Sequence, residues 1–294
     1  MKIITAIPAY NEEKTIGNVI KGVKSVMDEA KYDYQIVVVD DGSKDSTAEI
    51  AKKAGAVVHA HPKNYGLAET FKTEMQKCLE IGADIIVHTD ADGQYLAKEI
   101  PLLIKEVEKG SDLVLGSRFK GKIESMPLIK RLGNKAFSAV VSQVTRSKIT
   151  DAQTGFRAFT KEVARKIPII STHTYTQEQV IRAVKQKFKI VEVPVYFAKR
   201  KEGKSRLMKN PFEYAFKAWT SILRIYRDYE PLKFFGIIGG LFFGIGCLIG
   251  LWFVYLHFTT GITGHLGLIF LMLLLVMVGI QISLFGFLAD MMKK

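Results

Sequence analysis

Two apolar runs near the C-terminus constrain this chain more than any other feature. Residues 234–256, FFGIIGGLFFGIGCLIGLWFVYL, and 266–289, LGLIFLMLLLVMVGIQISLFGFLA, carry no charged side chain over 23 and 24 residues. At about 1.5 Å of rise per residue, each is long enough to cross a hydrocarbon layer of roughly 30 Å. A helix of that length in a water-soluble core would ordinarily expose a charged edge, so the runs are read as a transmembrane hairpin. Its connector, HFTTGITGH, has no Lys or Arg, whereas Arg224, Arg227 and Lys233 precede the first run and Lys293 and Lys294 follow the second. That asymmetry predicts an integral membrane protein with both termini, and the domain ahead of the hairpin, on the cytoplasmic side. Gly236, Gly240 and Gly244, then Gly246 and Gly250, recur at four-residue spacing. They would let another helix approach closely, within the hairpin or from a second copy of the chain as a homo-oligomer.

The rest of the chain differs sharply in charge. Of the 42 Lys and Arg residues, 40 lie in residues 1–233, against 29 Asp and Glu in the whole sequence, and the net charge of +13 favours an anionic partner. No basic and aromatic RNA-binding signature accompanies the charge, so nucleic acid is not the expected partner. The start, MKIITAIPAY, enters a strand pattern directly, without the apolar stretch of a signal peptide. Cys78 and Cys247 fall in different regimes and cannot pair, which is compatible with a reducing cytoplasm.

Strand and helix patterns alternate through this region. Residues 3–7, 36–39, 56–59, 85–87 and 113–115 are short apolar runs of strand type. Ile16, Val19, Ile20, Val23, Val26, Met27 and Ala30 keep helical spacing, and further helical stretches cover residues 46–54, 66–81 and 97–109. The alternation predicts an α/β domain with a mostly parallel sheet covered by helices, and in such sheets ligands bind at the carboxyl ends of strands. Three acidic loops fall at those ends: NEE, DDGS and DADGQ. In the last, Asp90 and Asp92 are two residues apart beyond a buried strand. Side chains at that spacing share a face in extended chain, and like charges there repel unless a cation intervenes. His88 and His173 lack any metal-ligand spacing, and His88 is expected to be a satisfied core residue. Later, Phe212, Ala215, Phe216, Trp219, Ile222, Leu223, Tyr226 and Tyr229 form one helical face opposite Lys217, Arg224, Arg227 and Asp228. This suits an amphipathic helix at the membrane interface, with a helix packed on the domain as the alternative.

The motifs IPAYNEE (7–13), VVVDDGSKDST (37–47), DADGQ (90–94), GSR (116–118), DAQTGFRAF (151–159), VEVPV (191–195) and KEGKSRL (201–207) occur in this order. Together, over about residues 3–230, they resemble the family 2 glycosyltransferases of the GT-A fold, and within them the dolichyl-phosphate mannose or glucose synthases. The resemblance implies a GT-A catalytic domain over 1–210, a juxtamembrane amphipathic helix over 211–230 and a two-helix transmembrane hairpin over 231–294. It implies a nucleotide-diphosphate sugar donor and a polyprenyl or dolichyl phosphate acceptor at the bilayer. Pro8, Ala9, Tyr10, Glu12, Asp40, Asp41, Asp90, Ala91 and Gln94 match the donor loops, and Lys204, Ser205 and Arg206 a loop able to close over the diphosphate. Asp90, Asp92 and Gln94 match a seat for Mg²⁺ or Mn²⁺, with Asp92 central to catalysis. Arg118 and Arg131 resemble acceptor-phosphate ligands. Asp151, Gln153, Thr154 and Arg157 resemble the sugar side of the cleft, and Glu178 a positioning acid that hydroxyl-acceptor relatives would use as a base.

Two stretches depart from the family pattern. Tyr95-Leu96-Ala97 stands where His-Pro-Pro is common, which predicts a more mobile loop beyond the metal seat, and Thr73-Glu74 replaces a basic residue followed by Gly. Two other functions compete: a hydroxyl-acceptor glycosyltransferase for a glycolipid or polysaccharide, and a catalytically idle protein that binds nucleotide sugar. The QxxRW motif of processive synthases is absent.

Overall fold

The computed structural model describes residues 1–171, 175–200, 211–261 and 266–292, with backbone only at 211–218 and 221. The chain forms two compact units, Met1–Ala215 and Phe216–Lys294.

The first unit is built on a seven-stranded sheet: β1 (Lys2–Ala9), β2 (Asp33–Asp40), β3 (Val57–Ala60), β4 (Ile85–His88), β5 (Leu113–Ser117), β6 (Arg157–Thr160) and β7 (Ile190–Pro194). The strand order is β3-β2-β1-β4-β6-β5-β7. Ile3, Ile4, Ala6 and Ile7 of β1, like Ile36–Val39 of β2, are buried on both faces, which explains their unbroken apolar runs. Helix α1 (Ile16–Glu29) covers the sheet with Ile16, Ile20, Val23 and Met27, and the helix at Ile100–Glu108 with Ile100, Leu103, Ile104 and Val107. Full burial of each such side chain contributes roughly 1.5–3 kcal/mol.

The first three strands step outward in one direction, and β4 then returns to the other side of β1. This reversal opens a crevice between the carboxyl ends of β1 and β4, where an α/β sheet takes its ligand. β6 runs antiparallel between β4 and β5, with Arg157 opposite His88 and opposite Leu115. Its first residue therefore lies at the edge where the parallel strands end. The five expected strands are all present. β6 and β7 lacked a legible apolar run because β6 opens on a buried arginine and β7 is an edge strand holding Glu192 and closing on Pro194.

The second unit holds most of a helix over Pro211–Tyr229, followed by α2 (Pro231–Thr260) and α3 (Leu266–Met291). The last two are long and apolar enough to cross a membrane, and their most apolar windows are only 11% and 6% buried. They therefore pack along a narrow seam and leave apolar side chains such as Leu248, Leu251 and Leu274 exposed. A Cβ on Gly279 would stand 2.5 Å from the Phe243 nitrogen, and one on Gly246 2.7 Å from Val276 Cγ2. Gly239 and Gly246 on α2 face Gly279 and the Val276 region of α3, at heptad spacing. This modifies the expected pattern: a Cβ on Gly236, Gly240 or Gly244 would meet no other part of the chain within 4 Å, while Gly246 and Gly250 are used inside the hairpin.

Candidate active site

The loops after β1 and β2 are tied to each other before any ligand enters. Asn11, in the left-handed region at φ 51°, donates its N–H to Ser43 Oγ (2.8 Å) and accepts from the Lys44 N–H (2.7 Å). The Glu12 N–H donates to Thr47 Oγ1 at 2.8 Å, and the Asp41 N–H to the Ala9 carbonyl at 2.8 Å. Pro8, Ala9 and Tyr10 thus lie on a braced edge.

Glu12, Asp90 and Asp92 make that edge strongly anionic. Burial, then the charge of Asp90, raises the Asp92 carboxyl to about 6; the Gln94 N–H at 3.1 Å and Arg200 oppose the rise, and Glu12 adds to it. Arg200 places Nη2 2.6 Å from Glu12 Oε1 and Nη1 3.7 Å from Asp92 Oδ2. Lys130, half-buried, shares the same field: burial lowers its pKa, Arg118 and Arg200 lower it further, and Asp92 and Asp90 pull it up. Gln94 donates its side-chain amide to the Ala198 carbonyl (3.0 Å) and accepts the Ala198 N–H on its backbone carbonyl (2.9 Å), which fixes the segment leading to Arg200. Ala91 packs in the core.

Among the described residues, no three His, Cys, Asp or Glu side chains converge as ligands of a metal ion. Two carboxylates without a closed protein cage suit a hard divalent cation that completes its coordination with phosphate oxygens and water.

Asp41 and Asp40 turn out to organise loops. Asp41 accepts the Tyr65 N–H (2.9 Å), the Gly66 N–H (2.8 Å) and His61 Nδ1 (2.8 Å), so both of its oxygens are engaged. Asp40 Oδ1 accepts from the Ser43 N–H and hydroxyl. His61 also meets Thr73 Oγ1 at 2.9 Å, and a cleft of about 410 Å³ lined by His61, Tyr65, Glu69 and Thr73 opens there.

The expected acceptor side is more buried than its motifs implied. Arg118, 4% exposed, is joined by two prongs to the fully buried Asp151, and its guanidinium lies 5.3 Å from the Phe197 ring centre. Thr154 is buried, while half-buried Gln153 accepts from Thr176 Oγ1 at 3.1 Å. Arg157, fully buried, donates to the Thr176 carbonyl, to Gln179 Oε1 and to the Thr154 carbonyl, and stacks over Tyr175. These side chains are engaged with one another and with the backbone, largely away from solvent. Arg131 is exposed on the helix at Leu128–Thr145, and its neighbour Lys130 is the base whose charge couples to Asp90 and Asp92. Glu178 is engaged within the protein. Its carboxylate accepts the Ile170 and Ser171 N–H groups at 2.9–3.1 Å and pairs with Arg182 Nε at 2.8 Å, which makes it a brace for the chain before its own helix. Lys204, Ser205, Arg206 and His173 lie outside the described residues.

Both departures from the family pattern are accommodated. Tyr95, 6% exposed, stacks on Phe156 with centroids 5.1 Å apart, meets Phe197 edge-on and hydrogen-bonds Thr154 Oγ1 at 3.2 Å. The loop expected to be mobile is anchored by its aromatic ring and hydroxyl. Glu74 is fully buried and lies 3.1 Å from Nε2 of fully buried His88. Burial raises the Glu74 pKa against the pull of His88; for His88, burial acts downward, and Glu74, the Asp90 charge and the Gly155 carbonyl together more than offset it. Sequence reasoning missed Arg200, Lys130, His61 and the Glu74 contact, since one base among 42 carries no local mark of the carboxylate it will meet.

A family model described as Glycosyl transferase family 2 matches residues 5–168, more than half of the chain. The chain is 34% identical over 216 residues to the UDP-N-acetylglucosamine–dolichyl-phosphate N-acetylglucosaminyltransferase of Methanococcus voltae, covering 66% of this chain and 84% of that one. It is 29% identical over 280 residues to the dolichol-phosphate mannosyltransferase of Pyrococcus furiosus, covering 92% and 76%. Among solved structures, glucosyl-3-phosphoglycerate synthase from Mycobacterium tuberculosis in complex with Mn²⁺ and uridine-diphosphate-glucose matches with a TM-score of 0.58 at 18% identity, over 75% of this chain and 78% of that one. At that identity the likeness concerns the fold.

Proposed function

The chain belongs to the family 2 glycosyltransferases, and from that premise we propose that it transfers a hexose or N-acetylhexosamine from a nucleotide-diphosphate sugar to a polyprenyl phosphate. The observation that carries the reading is the carboxylate group Glu12, Asp90 and Asp92 at the reversal point of the sheet, in one electrostatic field with Arg118, Lys130 and Arg200. The carboxylates suit a cation and the bases suit phosphate oxygens, so the edge can hold a diphosphate and a second phosphate together. Mg²⁺ or Mn²⁺ held by Asp90 and Asp92 would stabilise the charge of the departing diphosphate.

The chain's own residues do the rest. Gln94 and the Ala198 backbone keep Arg200 beside Glu12 and Asp92. Lys130 is the base we assign to the acceptor phosphate, with Arg118 behind it. A phosphate monoester is already an anionic nucleophile near neutral pH, so the reaction needs positioning and charge compensation more than a strong general base. That fits a Glu178 whose carboxylate is fully engaged elsewhere. The names of the relatives include both N-acetylglucosamine and mannose transferases, and both name a dolichyl-type lipid phosphate. The two apolar helices support anchoring at the bilayer that holds such an acceptor. The basic flanks support a cytoplasmic catalytic domain.

The test is direct. Purified full-length protein in detergent is incubated with polyprenyl phosphate, Mg²⁺ or Mn²⁺ and a panel of UDP- and GDP-sugars, and lipid-linked sugar is separated by thin-layer chromatography. The expected result is one sugar transferred to lipid phosphate, abolished in Asp92→Ala. No product with any donor, or full activity in Asp92→Ala, overturns the reading.

A further inference from the structure

The Asp90 carboxylate rests directly on Gly155: a Cβ there would stand 2.7 Å from Asp90 Oδ1 and 3.0 Å from Oδ2. Any tilt of this peptide moves the floor under the carboxylate. Both ends of Gly155 are held. Its carbonyl accepts from buried His88 Nδ1 at 2.7 Å, and its N–H donates to the Tyr95 hydroxyl at 3.3 Å. Because a carbonyl only accepts, His88 carries a proton on Nδ1, which leaves Nε2 facing Glu74 Oε2 at 3.1 Å. The Tyr175 hydroxyl lies 3.2 Å from His88 Nδ1, and Tyr175 stacks on Phe71 at 3.7 Å, closing the ring in. On the other side the Tyr95 hydroxyl also meets Thr154 Oγ1, the residue just before Gly155.

We propose that Glu74 and Tyr95 are positioning residues for Asp90, acting through the Gly155 peptide. The proposal rests on the reading of Asp90 as half of a cation and diphosphate seat, and deepens it. Packing alone does not account for Glu74, since a leucine of similar volume would fill the same place without taking a carboxylate out of water. Its Oε2, 3.1 Å from His88 Nε2, pairs with the far side of the ring and so keeps Nδ1 against the Gly155 carbonyl. Both places where this sequence departs from the family pattern thus converge on one peptide: Glu74 reaches its carbonyl end through His88, and Tyr95 reaches its N–H end. Buried partners of this kind, one step removed from a ligating group, set its orientation.

The experiment uses full-length protein in detergent with Mn²⁺ and UDP or GDP, whichever the parent binds more tightly. Free Mn²⁺ is read by its paramagnetic resonance signal, beside steady-state kinetics and thermal unfolding. Tyr95→Phe, which keeps the ring and removes the hydroxyl, and Glu74→Leu each weaken Mn²⁺ binding about tenfold and lower kcat, leaving the KM for polyprenyl phosphate within about twofold. Glu74→Gln, whose amide can still meet Nε2, returns Mn²⁺ affinity to near the parent value. Parent-like Mn²⁺ affinity in both Tyr95→Phe and Glu74→Leu overturns the proposal, as does a lowered melting temperature with unchanged kcat and affinity. Should Glu74→Leu fail to fold, Tyr95→Phe decides alone. A parent protein that retains no Mn²⁺ with either nucleotide brings down the cation reading itself, and this proposal with it.

Discussion

Arg118 and Asp151 meet in a two-pronged pair, Nε to Oδ2 at 2.7 Å and Nη2 to Oδ1 at 2.8 Å, while the Arg118 backbone N–H donates to the same Oδ2 at 3.0 Å. Asp151 has no exposure to water. Arg118→Ala therefore strands a buried carboxylate and is expected to cost about 3–5 kcal/mol of stability, read as a lower melting temperature in detergent. Loss of activity at parental stability would show instead that the guanidinium serves substrate alone.

The raised Asp92 carboxyl gives a pH signature in metal-free buffer. Its folded-state pKa of about 6 lies above that of an unfolded chain, so the folded protein holds an extra proton between those values and loses stability as pH rises through that window. Asp92→Asn removes the penalty and should be more stable than the parent at pH 7.5 by about 1–3 kcal/mol, with no difference near pH 4. Unfolding in EDTA at the two pH values checks this. Retention of Mn²⁺ by the parent should weaken as pH falls through about 6.

Glu178→Gln separates a brace from a base. The amide keeps an acceptor for the Ile170 and Ser171 N–H groups but weakens the Arg182 contact, so a loss of about 1–2 kcal/mol in stability is expected, with kcat within severalfold of the parent and an unshifted pH–rate profile. A drop in kcat beyond a hundredfold at unchanged stability would restore the general base and favour a hydroxyl acceptor.

Adjacent bases on one helix should differ in effect. Lys130→Met is expected to reduce kcat/KM for polyprenyl phosphate about tenfold or more, because its charge shares the field of Asp90, Asp92 and Arg200. Arg131→Met, on exposed surface, should stay within about threefold, and neither should change stability by more than about 0.5 kcal/mol. Equal losses in both would place the acceptor phosphate across the two side chains.

What the sequence revealed followed from periodicity and charge. Continuous apolar strands and spans announce themselves because burial on all sides excludes charge, as in Ile85–His88 and residues 234–256. The acidic loops were legible because a sheet delivers its strand ends to one edge. Side-chain pairing was not. Arg118 carries the sequence mark of a phosphate ligand and Arg157 that of the sugar side of the cleft, yet Asp151 absorbs the first and three oxygen acceptors, two carbonyls and the Gln179 amide, absorb the second. Arg200 reaches Glu12 across 188 residues, a separation over which local pattern has no information. Glu74 looked like a lapse from its motif until a histidine fourteen positions later stood beside it.

The reversed strand β6 has a consequence for how the molecule comes off the ribosome. β5 has only β6 and β7 as neighbours, both encoded later, and β4 has one edge that waits for β6. A nascent chain that has emerged only to residue 150 therefore presents Leu113–Ser117 with no partner and β4 with one bare edge, a ready template for other extended chains. Four residues, Arg157–Thr160, close both gaps at once. The join between β4 and β5 is thus a single late insertion, with β7 added at the edge afterwards, and until it occurs the partly made chain needs shelter from its neighbours.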